Sequence, residues 1–302
     1  CNLIFNNDRS FGKRKWSIGT LANQGDWYWD SANKVLYLYS NSIPSNVYQS
    51  IRTVNKLNLI SSPSKSYITI DGLALKYGDY GFVGTNTDHV TIKNCDVAWI
   101  GGSQTTGEGR KGNGIEFWSS NSNVLVEKNK VWECFDTGIS NQSAVENTVM
   151  NNITYRNNQV WNCEYSYEYF NTGTGSSTSN ILIENNTFYN AGYGWGHNQR
   201  ESSVYTLGYH LRLANRTEAV HSNFIIRNNI LSNSIGECQH NWDTTHNLYT
   251  INNNLYYQST GNIVGINFTY YYTQAQFTTY KSATGWDANS ILGNPKFIGK
   301  DV

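Results

Sequence analysis

The chain has almost no proline and little charge. Three prolines and 15% charged residues are spread over 302 positions, and there is a single methionine. Ala, Leu, Glu and Lys never recur at helical spacing over a useful window, which argues against a helical fold. No stretch approaches the ~18 apolar residues a membrane-spanning helix needs, so no such helix is expected. A charged segment followed by an apolar one is also missing, so no signal peptide is read here. The five cysteines are scattered without a Cys-x-x-Cys pair, which excludes a zinc module and a disulfide framework. Lysine plus arginine equals aspartate plus glutamate at 22 each. That balance argues against a nucleic-acid binder, which needs a basic excess.

What the chain does have is 26 glycines, 22 tyrosines, 10 tryptophans and abundant asparagine. β-Branched and aromatic residues on this scale point to an all-β protein. A repeat organises them. Val90-Thr-Ile-Lys-Asn-Cys-Asp-Val97 recurs as Val124 to Val131, Ile153 to Val160, Ile181 to Phe188, Phe224 to Leu231 and Tyr249 to Tyr256, with a weaker copy from Tyr67 to Ala74. Within each copy apolar and polar residues alternate, the pattern of a half-buried strand. An asparagine-rich bend follows, where asparagine tolerates a left-handed backbone.

One frame position carries Asn129, Asn158, Asn186, Asn229 and Asn254, predicting an amide ladder along stacked coils. A second column, Ile100, Cys134, Cys163, Ala191 and Ser234, is small or apolar and is expected to point inward. Trp132 and Trp161 repeat in register and should stack. Uneven steps between copies predict insertions at residues 101–112 and 199–222, where function tends to concentrate. The expected architecture is a right-handed parallel β-helix with an Asn ladder and inserted loops. Its core spans 67–257. An N-terminal part, 1–66, contains a hairpin at 25–39, and a C-terminal extension, 258–302, has room for a short helix at 270–283.

The sequence resembles the pectin-lyase-like superfamily, and within it the bacterial secreted β-helix repeat proteins of carbohydrate breakdown. The residues that carry the likeness are Asp26-Trp-Tyr-Trp-Asp30, Gly112-Asn-Gly-Ile-Glu-Phe-Trp118, Trp161-Asn-Cys-Glu-Tyr-Ser-Tyr-Glu-Tyr169, Gly192-Tyr-Gly-Trp-Gly-His-Asn-Gln-Arg200 and Gly285-Trp-Asp-Ala-Asn-Ser-Ile291. The resemblance implies a secreted or cell-surface protein, a polysaccharide or oligosaccharide partner, and relatives that extend beyond both ends. It says little about the reaction, because that superfamily holds lyases, hydrolases and adhesins.

Following the frame into the next strand predicts an outward column of Glu116, Ser140, Glu168 and His197, with His240 beyond as a structural residue. Residues two coils apart sit ~10 Å from each other, close to the carboxylate spacing of inverting glycosidases. The candidate catalytic residues are therefore Glu116, Glu168, Asp136 and His197. Both Asp136 and Glu164 sit at turns, where a capping role competes. Candidate sugar contacts are Trp118, Tyr169, Tyr193, Trp195, Asn198, Gln199, Arg200, His210 and Arg212.

Three functions fit: a glycoside hydrolase with a carboxylate pair, a polysaccharide lyase using His197, Arg200 or a tyrosine, and a non-catalytic glycan-binding solenoid. Carboxylates on the outer face favour the first. A Ca²⁺-assisted lyase would want a tight acidic cluster, and no Asp-x-Asp grouping is present. No cofactor is expected, and the chain is expected to be a monomer.

Overall fold

The computed structural model describes residues 2–104, 110–200, 207–215, 219–243 and 248–298. Its body is a parallel β-helix with three strand faces per coil. After the asparagine bend comes a face of eight parallel strands, running from Ala74–Lys76 through Asp96–Ile100, Lys130–Cys134, Gln159–Trp161, Thr187–Ala191, Ile230–Ser234 and Leu255–Tyr257 to Ile291–Leu292. The next face carries the candidate site. It stacks Ile60–Pro63, the start of Phe82–Lys93, the start of Ile115–Glu127, Thr137–Ser143, Tyr165–Asn171, Tyr209–Asn215, Gln239–Asn241 and Asn262–Ile266. The third face holds Ser66–Asp71, Val149–Arg156, Ser177–Glu184, Val220–Arg227 and Tyr249–Asn252. The two long strands reach it by bending around the corner. Connections between parallel strands take the right-handed sense almost without exception, which sets the hand of the solenoid.

The amide ladder is present as bonds. Asn129 donates to Asn158, Asn158 to Asn186 and Asn186 to Asn229, each at 3.0 Å, and Asn229 to Asn254 at 3.1 Å. Each amide nitrogen also reaches a backbone carbonyl one coil back, as Asn158 does to Val126 at 3.0 Å. All five side chains are buried, where an unpaired amide would be costly, so the ladder closes its own polar account. The residue before each rung, Lys128 and then Asn157, Asn185, Asn228 and Asn253, adopts the left-handed backbone that lets the chain turn. The last rung is capped by Asp287, whose Oδ1 accepts from Asn254 at 3.3 Å, and by Ser290, whose Oγ accepts the Asn254 N–H at 2.8 Å.

Inside the coils, Ile100, Cys134, Cys163 and Ala191 are fully buried and Ser234 nearly so. Trp132 and Trp161 lie face to face at 4.9 Å with 2° between their planes. At the N-terminal end, Leu3–Phe5, Ser10–Phe11 and Ile51–Thr53 form an antiparallel sheet, and Trp27–Asp30 pairs with Val35–Leu38 as a hairpin. At the other end, Asn262–Ile266 pairs antiparallel with Tyr270–Thr273, and the helix Phe277–Thr284 packs Phe277 and Tyr280 into the core.

The expected long loop at 199–222 is corrected. Tyr209–Asn215 lies inside that range and is a regular strand of the site face. The segment 195–199, expected to be a strand, instead begins as the single helical turn Trp195–Asn198, which sits outside the coil. The amphipathic alternation of that segment is too short to distinguish the two.

Candidate functional site

The site face places Glu116, Ser140 and Glu168 in one register row, as the frame predicts. The row then continues through Arg212 to His240, and not through His197. This is the main correction to the expected site. His197 belongs to the turn outside the coil, where its Nδ1 lies 2.9 Å from Glu164 Oε2. The true fourth position carries a guanidinium, and that changes the electrostatics of the row.

Glu168 and Arg212, neighbours in register, are bonded to each other through Oε1 and Nη1. The other carboxylate oxygen of Glu168 accepts from Thr137 Oγ1 at 2.7 Å and from Gln142 Nε2 at 3.0 Å. The Arg212 guanidinium lies 4.8 Å from the ring centre of Tyr165 and 4.9 Å from that of Trp242. Two aromatic faces and one carboxylate hold that charge in a fixed place.

Glu116 has a different environment. Its Oε2 accepts from Asn113 Nδ2 at 2.9 Å, and Asn113 Oδ1 in turn accepts the Thr137 N–H at 2.9 Å. The side chain is 4% exposed. Burial, reinforced by the charges of Glu168 and Asp136, pushes its carboxyl up to about 7, against the pull of the Asn113 bond. Asp136 goes the other way. Burial raises it, but Arg110 and Arg200 outweigh that and hold it below the usual carboxylate range. Both arginine contacts fall on Oδ1, Arg200 at 3.0 Å and Arg110 at 3.9 Å. Asp136, a catalytic candidate for which a turn-capping role competed, is an ion-pair acceptor.

Several expected sugar contacts are structural. Tyr169 points into the core, with its hydroxyl donating to Thr178 Oγ1 at 2.9 Å, because residues alternate from Glu168 outward to Tyr169 inward. His210 is fully buried beside Phe188 with Nδ1 3.0 Å from Ser166 Oγ, and burial drives its imidazole down to about 3. Trp195 is sealed against Phe135, donating through Nε1 to the Glu133 carbonyl at 2.6 Å. Gln199 and Arg200 are buried and engaged with the protein itself. Tyr193 is half exposed and Trp118 partly so, and both remain free to meet a ligand. The side chain of Asn198 lies outside the described residues.

Glu164 is fastened to the same segment, accepting the Leu207 N–H at 2.6 Å and the Gly208 N–H at 3.1 Å besides facing His197. His240 is fully buried, its Nδ1 3.1 Å from Glu237, and stacked on Tyr209 at 4.6 Å. Among the described residues no group of three or more His, Cys, Asp or Glu is placed to hold a metal ion.

Sequence reasoning missed Tyr80, Asn113, Thr137, Gln142 and Tyr165, and did not place Arg110 among the candidate site residues. Thr137 and Tyr165 are register partners, so the frame that found Glu116 could have found them. Nothing in the sequence signals that Arg110, from the insertion after Ile100, turns back onto Asp136. Along the open edge of the row run Trp118, Gln142 and Phe170, in register with one another, with Trp242 6.5 Å from Phe170. The rings of Trp118, Phe170 and Trp242 are partly exposed.

No protein-family model matches this sequence, and no curated protein matches it. Two solved structures overlap with it. An alginate lyase from Paenibacillus sp. str. FPU-7 superposes with a TM-score of 0.43 and 12% identity, over 71% of this chain and 74% of its own. Endopolygalacturonase I from Stereum purpureum gives 0.34 and 14%, over 68% of this chain and 66% of its own. Both overlaps are partial, and the parallel β-helix assignment rests on the strand pairings of the chain itself.

Proposed function

We propose that the protein is a glycoside hydrolase acting on a polysaccharide or oligosaccharide, with Glu116 as general acid and Asp136 as general base. The observation that carries this reading is the split between the two carboxyls: Glu116 is pushed up to about 7 while two arginines keep Asp136 ionised on the neighbouring coil. Environments that drive two nearby carboxyls apart are how a site holds one acid and one base at the same pH. In the reaction, the Glu116 proton passes to the glycosidic oxygen as the bond to the anomeric carbon breaks. A water attacks that carbon and gives its proton to Asp136.

Glu168 does not serve as the second carboxylate in this scheme, although the row spacing first suggested it. Its two oxygens are taken by Thr137, Gln142 and Arg212, so its role is to hold the floor of the site. Trp118, Phe170 and Trp242 supply partly exposed ring faces against which a sugar packs. The arginines favour a neutral glycan at the bond being cleaved, since Arg200 and Arg212 are paired with Asp136 and Glu168 rather than held for a uronate.

One observation favours a second reading. Tyr165 stands between the charges of Arg110 and Arg212, the setting a β-eliminating tyrosine would need. Burial nonetheless moves its hydroxyl upward overall, so it stays protonated and leaves little phenolate to abstract a proton near neutrality.

A panel of polysaccharides separates the readings. The hydrolase releases reducing ends with no new ultraviolet absorbance. An unsaturated, absorbing product would overturn it in favour of β-elimination. Binding with neither signal would make the face a glycan-binding surface.

A further inference from the structure

The segment that carries Arg200 is not held by the coils alone. It runs close over the corner that leads from the first strand face to the site face, where two glycines make the close approach possible. A Cβ on Gly194 would stand 1.8 Å from the Asn162 carbonyl oxygen, and one on Gly196 2.5 Å from that of Phe135. Between these points the segment is gripped from below: the Trp195 N–H donates to Glu133 Oε2 at 2.9 Å, and His197 faces Glu164. From above it is gripped by a part of the chain more than 180 residues away. Gln199 Nε2 donates to the Gly12 carbonyl at 2.5 Å, and Gln199 Oε1 accepts the Arg14 N–H at 2.8 Å.

Gly12 and Arg14 are firm supports. The Gly12 N–H bonds to Leu3, and its carbonyl also accepts from Trp27 Nε1 at 3.2 Å. Lys13 and Lys15 pair on either side with the backbone of Trp27, which is fully buried at the start of the hairpin. Gln199 is 2% exposed and its amide is used at both ends. The next residue is Arg200, whose guanidinium reaches Asp136 Oδ1 at 3.0 Å and the Phe135 carbonyl at 2.6 Å.

We infer that Gln199 is a positioning residue: by tying the insertion to the N-terminal antiparallel unit it keeps Arg200 on Asp136, making that unit a working part of the site. The inference rests on the role given to Asp136 above. The charged and titratable groups facing Asp136 are Arg110 from the first insertion, Arg200 from the second, Arg212 from the row, Glu116 from the preceding coil, Tyr80, and the buried thiol of Cys134. Of these, Arg200 alone is attached to the clasp. Loosening Gln199 therefore removes one cation from Asp136 and leaves the rest in place.

The test follows the Asp136 carboxylate by NMR titration of protein labelled at aspartate side chains, assigned by comparison with Asp136→Asn. The variants are Gln199→Ala and Gln199→Met, the latter filling similar space without either hydrogen bond. The expected result is a midpoint about one pH unit higher in both variants, as follows from removing one close opposite charge. A merely structural residue would lower the melting temperature and leave that midpoint where it is in the wild type. An unmoved midpoint in a folded variant overturns the inference, and so does failure of both variants to fold.

Activity separates this result from the fate of the proposed function. If wild type hydrolyses a glycan, the acid limb of the kcat/KM profile should move with the Asp136 midpoint. If wild type hydrolyses nothing while the midpoint still shifts, the positioning role stands and the hydrolase reading falls.

Discussion

Arg200 meets Asp136 at 3.0 Å across 64 residues of sequence, from a segment that belongs to no coil. That contact, together with Arg110 on the same oxygen, keeps one carboxylate charged beside another whose carboxyl is pushed up to about 7. Two insertions leaning on one strand face therefore set the charge of Asp136.

Glu116→Gln should abolish turnover, with a loss of about 100-fold or more, the usual scale for a missing general acid. Because Gln mimics the neutral carboxyl, folding should be unaffected. Asp136→Asn should lose a similar factor. Retained hydrolysis in both variants, measured as reducing ends, would remove this pair from the mechanism.

Glu168→Gln should behave differently. It leaves the Arg212 guanidinium buried at 3% exposure without its carboxylate. Breaking a buried pair this way costs about 3–5 kcal/mol. The expected signature is a large drop in unfolding free energy by denaturant titration, with residual activity in whatever fraction remains folded. A variant as stable as wild type would show that the pair contributes little.

The pH dependence of stability has a defined sign. Glu116 and Glu133 are both pushed up to about 7, chiefly by burial, from a usual value of 4.5. Between those values the folded protein keeps protons that the unfolded chain has released. Their stabilisation is thus complete below pH 4.5 and lost as pH rises through 7, on the order of 3 kcal/mol for each group. Asp136 and Glu164 are depressed, so their contribution is present above the usual carboxylate range and fades in stronger acid. Unfolding free energy should peak in mildly acidic solution and fall toward pH 8. Glu133→Gln should flatten the neutral part of that fall, and an unchanged slope would show that Glu133 titrates normally.

Gly196→Ala should lift the segment from the corner beside the site face, since the new methyl would press on the Phe135 backbone. Trypsin should then cut after Arg200, which is 8% exposed in the docked segment, at least several-fold faster than in the wild type. An unchanged cutting rate would mean the backbone shifts to accept the methyl.

The ladder amides were legible in the sequence because each coil repeats the same local problem, a left-handed bend followed by a buried side chain that must bond its neighbour. Glu116, Ser140 and Glu168 were legible for the same reason, since strand alternation carries register from coil to coil. His197 was misplaced because Trp195 to Gln199 mimics strand alternation over too few residues to exclude a helical turn, and the real strand begins at Tyr209. Tyr169 was misread by chemistry over geometry: an aromatic next to a carboxylate looks like a sugar platform, yet alternation sends it inward. The contacts of Arg110, Gln199 and Arg200 are long-range and were not readable from local pattern.

The five rungs Asn129 to Asn254 are separated by 29, 28, 43 and 25 residues, yet their bonds differ by only 0.1 Å. Coil spacing is thus set at one corner of the triangle, while coil length is left free at the others. Chain can be added to or removed from those other corners without disturbing the rungs, so a foreign loop grafted between Gly192 and Gly208 should leave the spine intact while giving the solenoid a different working edge.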